Sequence, residues 1–138
     1  MSKGFILDAC AVIALLRKEQ GAEIVRDLYL KADSGGIALK MNKLNFLEVY
    51  YGFLREYGEE KTEILLKNIE NSPIQIVSEI SDDVFREAGR LKASYRISLA
   101  DSIALAQASV DDCSIVTCDH HEFDIIENSE SIKFLWIR

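Results

Sequence analysis

The chain has 138 residues, 49% hydrophobic and 28% charged, with a formal net charge of −7. That length fits one domain, residues 1–138, able to bury roughly two-thirds of its unfolded surface. Its longest apolar runs are far too short to span a bilayer. Met1-Ser2-Lys3-Gly4 leads into a strand-like run and Asp8, unlike a signal peptide, so a cytoplasmic location without membrane contact is expected. The acidic balance disfavours a nucleic-acid partner, because such binding draws on Lys and Arg. Setting four carboxylates of the −7 aside for a cation site leaves −3, so charge does not decide the matter.

In chain order, Gly4 to Asp8 is a short apolar run ending in an acid, as suits a strand buried on both faces. A short helix through Ala11, Val12, Ala14, Leu15 and Leu16 follows, then a second over residues 21–33, ended by Ser34-Gly35-Gly36. Ile37-Ala38-Leu39 is the next strand. Phe46, Val49, Tyr50, Phe53, Leu54 and Tyr57 recur at helical spacing, with Gly58 as the break and another helix from Glu60 to Glu70. Their Tyr- and Phe-rich stretch is read as mostly core, with some capacity for a dimer or partner face.

Ile74 to Val77 reads as a third strand, and Ser81 as the N-cap of a helix carrying Val84, Ala88, Leu91 and Tyr95. Leu99 to about Val110 is small and apolar almost all round, as in a helix buried against a sheet. Asp111-Asp112 turn the chain into strand Ser114 to Thr117, and Ile132 to Trp136 is the last strand. Strands alternating with helices imply an α/β fold with a parallel sheet covered on both faces.

Ligands of open α/β sheets sit beyond the carboxyl ends of the strands. Asp8 ends the first strand, Asp119 follows the strand ending at Thr117, and Glu48 lies in the helix after the second strand. Asp101 lies in the first turn of the apolar helix, where sequence order alone does not place it. A lone buried carboxylate there is costly unless paired, and a cation shared by several acids would satisfy all of them. Each acid also has a purely structural reading. Asp8 suits a turn, Asn45-x-x-Glu48 and Ser98-x-x-Asp101 suit capping boxes, and Asp119 suits the cap of a short helix from His120 to Phe123. Asp111, Asp112, Asp82, Asp83, Glu59, Glu60, Glu63 and Glu70 are read as structural.

Three cysteines (Cys10, Cys113, Cys118) without CxxC spacing are expected as reduced, buried thiols. The adjacent His120 and His121 read as a solvated turn. The early strand carries one acid, with Cys10 where a haloacid-dehalogenase pattern needs a second Asp. No lysine follows the late strand as a receiver domain requires.

The blocks Ile-Leu-Asp8-Ala-Cys10, Asn45-Phe-Leu-Glu48-Val-Tyr-Tyr-Gly52, Ser98-Leu-Ala-Asp101-Ser-Ile-Ala-Leu-Ala and Ile-Val-Thr117-Cys-Asp119-His-His-Glu-Phe123-Asp124, in this order, resemble the PIN domain, most closely its small VapC-like toxins. The resemblance runs from about residue 4 to the C-terminus. It implies a three-layer α/β/α sandwich around a mainly parallel sheet of about five strands. It further implies endoribonuclease activity with Mg²⁺ or Mn²⁺, homodimers and a cognate antitoxin over the active-site groove. Asp8, Glu48, Asp101 and Asp119 match the family's acidic positions, with Asp124 an accessory or structural acid. Cys10 departs from the family, which commonly places a hydroxyl or amide residue there. Thr117 and Ser98 are candidates to support the acids, and Lys40, Lys43, Lys92 and Arg96 to line an RNA path. A non-catalytic PIN-like module that binds RNA or protein is the alternative.

Overall fold

Five parallel strands lie in the order β3-β2-β1-β4-β5: β1 (Lys3–Leu7), β2 (Ile37–Asn42), β3 (Ile74–Val77), β4 (Ser114–Thr117) and β5 (Lys133–Trp136). Seven helices connect and cover them: α1 (Ala9–Arg17), α2 (Ala22–Asp33), α3 (Lys43–Tyr57), α4 (Glu59–Glu70), α5 (Asp82–Ser94), α6 (Leu99–Val110) and α7 (His120–Ser129). This computed structural model describes residues 3–138; Met1 and Ser2, part of the leader reading above, lie outside the described residues. The α/β/α sandwich around a parallel sheet is as expected from the alternation of elements.

Successive side chains of a strand point to opposite faces, and the two cores follow from that rule. Leu7 and Val116 enter one core with Val12, Val25, Phe46, Val49 and Phe53 from α1, α2 and α3. Their neighbours Ile6 and Ile115 enter the other, with Leu91, Ile103, Leu105, Phe123 and Ile126 from α5, α6 and α7. Helix α6 reads as apolar all round because it is: Ala100, Ile103, Ala104, Leu105, Ala106 and Ala108 are all buried. Its alanines let its backbone approach the sheet, and Asp101 is the only acid on it.

Three local readings change. Helix α7 runs ten residues from His120 to Ser129, longer than the turn or short helix expected, because Phe123 and Ile126 bury a stripe one turn apart. Asn45 is not a cap; Asn42 is, its Oδ1 accepting the Asn45 N–H at 2.8 Å. The α3 stretch is core on one side only: Phe46, Val49 and Phe53 are buried, whereas Leu47, Tyr51 and Tyr57 are exposed.

Topology makes a crevice at one place. β1 lies between β2 and β4, so the chain leaves β1 toward one side of the sheet and later returns to add β4 on the other. Connections depart in opposite directions there, and the gap between them at the carboxyl ends is where open α/β sheets receive ligands.

Candidate functional site

Asp8 immediately follows β1, and its backbone N–H donates to the Val116 carbonyl at 3.3 Å, tying it to β4. Its carboxylate caps α1, accepting the Ala11 N–H at 2.9 Å. Asp119 stands just past β4 and caps α7, accepting the Glu122 N–H at 3.2 Å. The two acids therefore flank the switch point, on strands that are direct neighbours. The structural and the functional readings of these residues are compatible, since a carboxylate has about four lone-pair sites and a cap uses only one of them.

Asp101, which sequence order left unplaced, is fixed by Asn42. The Asn42 side-chain amide donates to the Ala100 carbonyl at 3.4 Å, and the same side chain caps α3. One buried residue at the end of β2 thus holds the first turns of α3 and α6 together. Ser98 caps α6 by accepting the Asp101 N–H at 3.1 Å. Glu48, four residues beyond Leu44 in α3, is half-buried on the Asp101 side of the group, and its charge is felt there.

Electrostatics follow from burial without counter-charge. Asp8 is pushed up to about 7, first by desolvation and then by the charges of Asp101 and Asp119, against the opposing hydrogen bonds from Thr117 and Ala11. Asp101 is pushed up to about 6 by desolvation, with Glu48, Asp119 and Glu122 adding to it and the Ser98 hydrogen bond opposing. Burial also raises Glu48. Among the described residues, none of these acids forms a salt bridge; the ion pairs lie elsewhere. Acids gathered without a cationic side chain are the setting in which a bound cation lowers the energy of all of them.

An all-oxygen donor set fits a hard divalent ion. Among the described residues, no three His, Cys, Asp or Glu side chains stand at chelating distance from one point. Mg²⁺ keeps several of its waters and needs only one or two direct carboxylates, so the fit is to a partly hydrated ion rather than to a closed cage.

Glu122 is a member of the group that the sequence reading did not single out. Its charge reaches Asp101, and its Oε2 is buried with no hydrogen-bond partner. The signal was available in principle, because Glu122 is three residues after Asp119 and i,i+3 positions share a helix face. Asp124 is instead an exposed partner of His120, 2.8 Å from its Nδ1. His120 also contacts the Arg138 carbonyl at 2.8 Å and stacks on Trp136; both histidines are exposed as expected, but they open helix α7 rather than form a turn. Lys40 leaves the expected RNA path: it pairs with Asp111, beyond the far end of α6. Lys43 starts α3 and Arg96 precedes the Ser98 cap, both exposed, with Lys92 exposed further back on α5.

Cysteine pairing also differs from expectation. Cys10 and Cys118 form a disulfide, and only Cys113 is a free, buried thiol. A separation of 108 residues hides the pairing in the sequence; it arises because β1 and β4 are neighbours and each cysteine follows its strand closely.

A family model for the PIN domain matches residues 5–128, nearly the whole chain and all of the acids above. The chain belongs to the PIN-domain family. No match is found among curated proteins. Among solved structures, this PIN domain is similar to a toxin–antitoxin complex from Klebsiella pneumoniae, with 19% identity, 96% of this chain and 97% of that one covered, and a TM-score of 0.69. DNA-bound VapBC from Salmonella typhimurium gives 14% identity, full coverage of both chains and a TM-score of 0.76. VapBC-1 from nontypeable Haemophilus influenzae gives 16%, 97% and 98% coverage, and 0.73. These likenesses establish the PIN fold over the chain's full described length. No helix among the described residues is long and apolar enough to cross a membrane.

Proposed function

We propose that this chain is a single PIN domain, that it is an endoribonuclease dependent on Mg²⁺ or Mn²⁺, and that it is the toxin of a toxin–antitoxin pair. The observation that supports the reading is that Asp8, Glu48, Asp101 and Asp119 feel one another's charge, directly or through Asp101, with no basic side chain paired to any of them. Asp8, Asp101 and Asp119 would hold the cation, with Glu122 as a fifth acid beside Asp101. When bound, the cation activates water and offsets charge on the scissile phosphate.

The chain's own groups would do the rest. Glu48, raised by burial, orients the attacking water and takes its proton, a task suited to a carboxylate whose pKa lies nearer the working pH. Attack in line on phosphorus expels the 3′ oxygen and leaves a 5′-phosphate on the other product. Thr117 braces Asp8, and Ser98 fixes the first turn of α6. Helices α1, α3, α6 and α7 all begin at this edge, and their N-termini carry partial positive charge that favours a phosphate. Lys43 and Arg96, exposed at the same edge, guide the RNA backbone, which offsets in part the chain's acidic balance.

The toxin role is supported by the similar solved structures, which are toxin–antitoxin complexes by their own descriptions. The antitoxin and a second copy of the chain are the proposed protein partners, with exposed Leu47 and Tyr51 on α3 offering apolar contact. A cytoplasmic location accords with an RNA substrate. Purified, antitoxin-free protein incubated with a mixed RNA pool should cut it with Mg²⁺ or Mn²⁺ and not with EDTA. Asp8→Asn and Asp101→Asn should each lower the rate by at least about 100-fold, as loss of a metal ligand exceeds loss of an outer-shell partner. Folded wild type that cuts no RNA under any metal would turn the reading to a non-catalytic binding module.

A further inference from the structure

The Cys10–Cys118 disulfide sits between two of the proposed metal ligands. Cys10 is two residues after Asp8, in the first turn of α1, and Cys118 is the residue before Asp119. Their Cα atoms are 6.2 Å apart, within the 4.4–6.8 Å that a disulfide spans without backbone movement. Both residues are partly buried rather than sealed in the core, so a small reagent can reach them, whereas Cys113 is buried. The bridge ties together the two capping residues that carry the acids, Asp8 on α1 and Asp119 on α7. The β1–β4 ladder ends with Leu7 opposite Val116; beyond it the Asp8 N–H donates to the Val116 carbonyl, and the bridge continues the link past the strand ends.

We propose that Cys10 and Cys118 are a reversible redox site that sets the spacing of Asp8 and Asp119, and through it the affinity for the divalent cation. The inference rests on the metal-site reading above. Oxidised, the bridge holds the two carboxylates near one another despite their mutual repulsion. Reduced, the α1 start and the β4–α7 link separate more freely, and the cation must supply the ordering itself. Disulfides in reducing compartments are characteristically transient and redox-sensing, and partial exposure with a nearby partner is what exchange requires.

The chemistry balances by thiol–disulfide exchange with a small-molecule disulfide such as oxidised glutathione. One cysteine sulfur attacks the small disulfide, forming a mixed disulfide and releasing one small thiol. The second cysteine attacks that mixed disulfide, forming the Cys10–Cys118 bond and releasing the other small thiol. The two cysteine protons end on the two released thiols. A dithiol reductant reverses the sequence and is itself oxidised to its disulfide.

The test uses full-length protein, equilibrated with either oxidised glutathione or a dithiol and then freed of both. Alkylation and mass spectrometry count the free thiols, and calorimetry measures Mn²⁺ affinity. We expect one alkylated cysteine, Cys113, in the oxidised form and three in the reduced form, with Mn²⁺ bound about 10-fold more tightly when oxidised, the scale seen when groups that orient metal ligands are lost. Cys10→Ser and Cys118→Ser, checked for folding by circular dichroism, should bind Mn²⁺ with one affinity in both conditions, and Cys113→Ser should respond as wild type does. A bridge that forms without changing Mn²⁺ affinity overturns the redox proposal and leaves the metal site standing. Failure of the bridge to form at all does the same. Mn²⁺ binding in neither state overturns the metal reading and this proposal with it.

Discussion

At Asp8 the side chain is 2% exposed, caps α1 through the Ala11 N–H, and titrates at about 7. Its folded pKa lies above the unfolded value of 3.8. The native state therefore binds more protons than the unfolded state between about pH 4 and 7, and metal-free stability falls as pH rises through that window. Asp101, at about 6, adds to the same trend. Asp8→Asn keeps the cap, because Asn caps as well as Asp, and removes the ionisation. In thermal melts of metal-free protein at pH 8 it should raise Tm by about 3–5 °C, the shift that roughly 1 kcal/mol gives in a domain of this size, and should flatten the pH dependence. Asp8→Ala removes the cap as well and should forfeit about 1 kcal/mol of that gain. Equal melting of wild type and Asp8→Asn at pH 8 would show that the burial is not a burden.

Of the group at this edge, Asp8, Glu48 and Asp119 were legible from the sequence because each follows a parallel strand, and the strand's carboxyl end has a fixed place. Asp101 was singled out as an acid in an apolar helix, but its place was not legible, since it follows α5 and its position depends on the buried Asn42 amide reaching the Ala100 carbonyl. Glu122 was passed over although it lay within the short helix expected after Asp119, because that helix was read only as something for Asp119 to cap. The disulfide was hidden because only strand order brings residues 10 and 118 together.

Among the elements, the end of β4 is supported from the far end of the chain. Ile137 donates its N–H to the Thr117 carbonyl at 3.0 Å, and Gly21, the residue before α2, packs against Ile137. Gly21 has φ of 96°, and a Cβ there would lie 2.4 Å from the Ile137 carbonyl oxygen. Gly21→Ala therefore meets both left-handed strain and a backbone clash, and should cost roughly 2–4 kcal/mol together, read as a lower urea midpoint. A cost under about 0.5 kcal/mol would mean that the tail does not hold this position. The strand and helix types were legible through periodicity, apart from the length of α7, whose lower half carries Ile125 exposed beside buried Ile126 and so blurs the helical stripe. Lys40 was misplaced because its strand position says nothing about which way a long side chain runs; it reaches Asp111 on the other side.

For the whole molecule, the net charge of −7 and the substrate proposed for it are reconciled by where the charge sits. Several acids lie at the switch point, where a divalent ion would offset them, and helices α1, α3, α6 and α7 begin near the same place. A protein that gathers buried acids without basic partners should bind such an ion in the absence of any RNA. The most direct test is calorimetric titration of metal-free protein with Mn²⁺ at pH 7.5, for wild type and Asp101→Asn. Saturable binding by wild type is expected, abolished or weakened at least about 100-fold in the variant. Equal binding by the two proteins, or none by wild type, would contradict the proposed cation site.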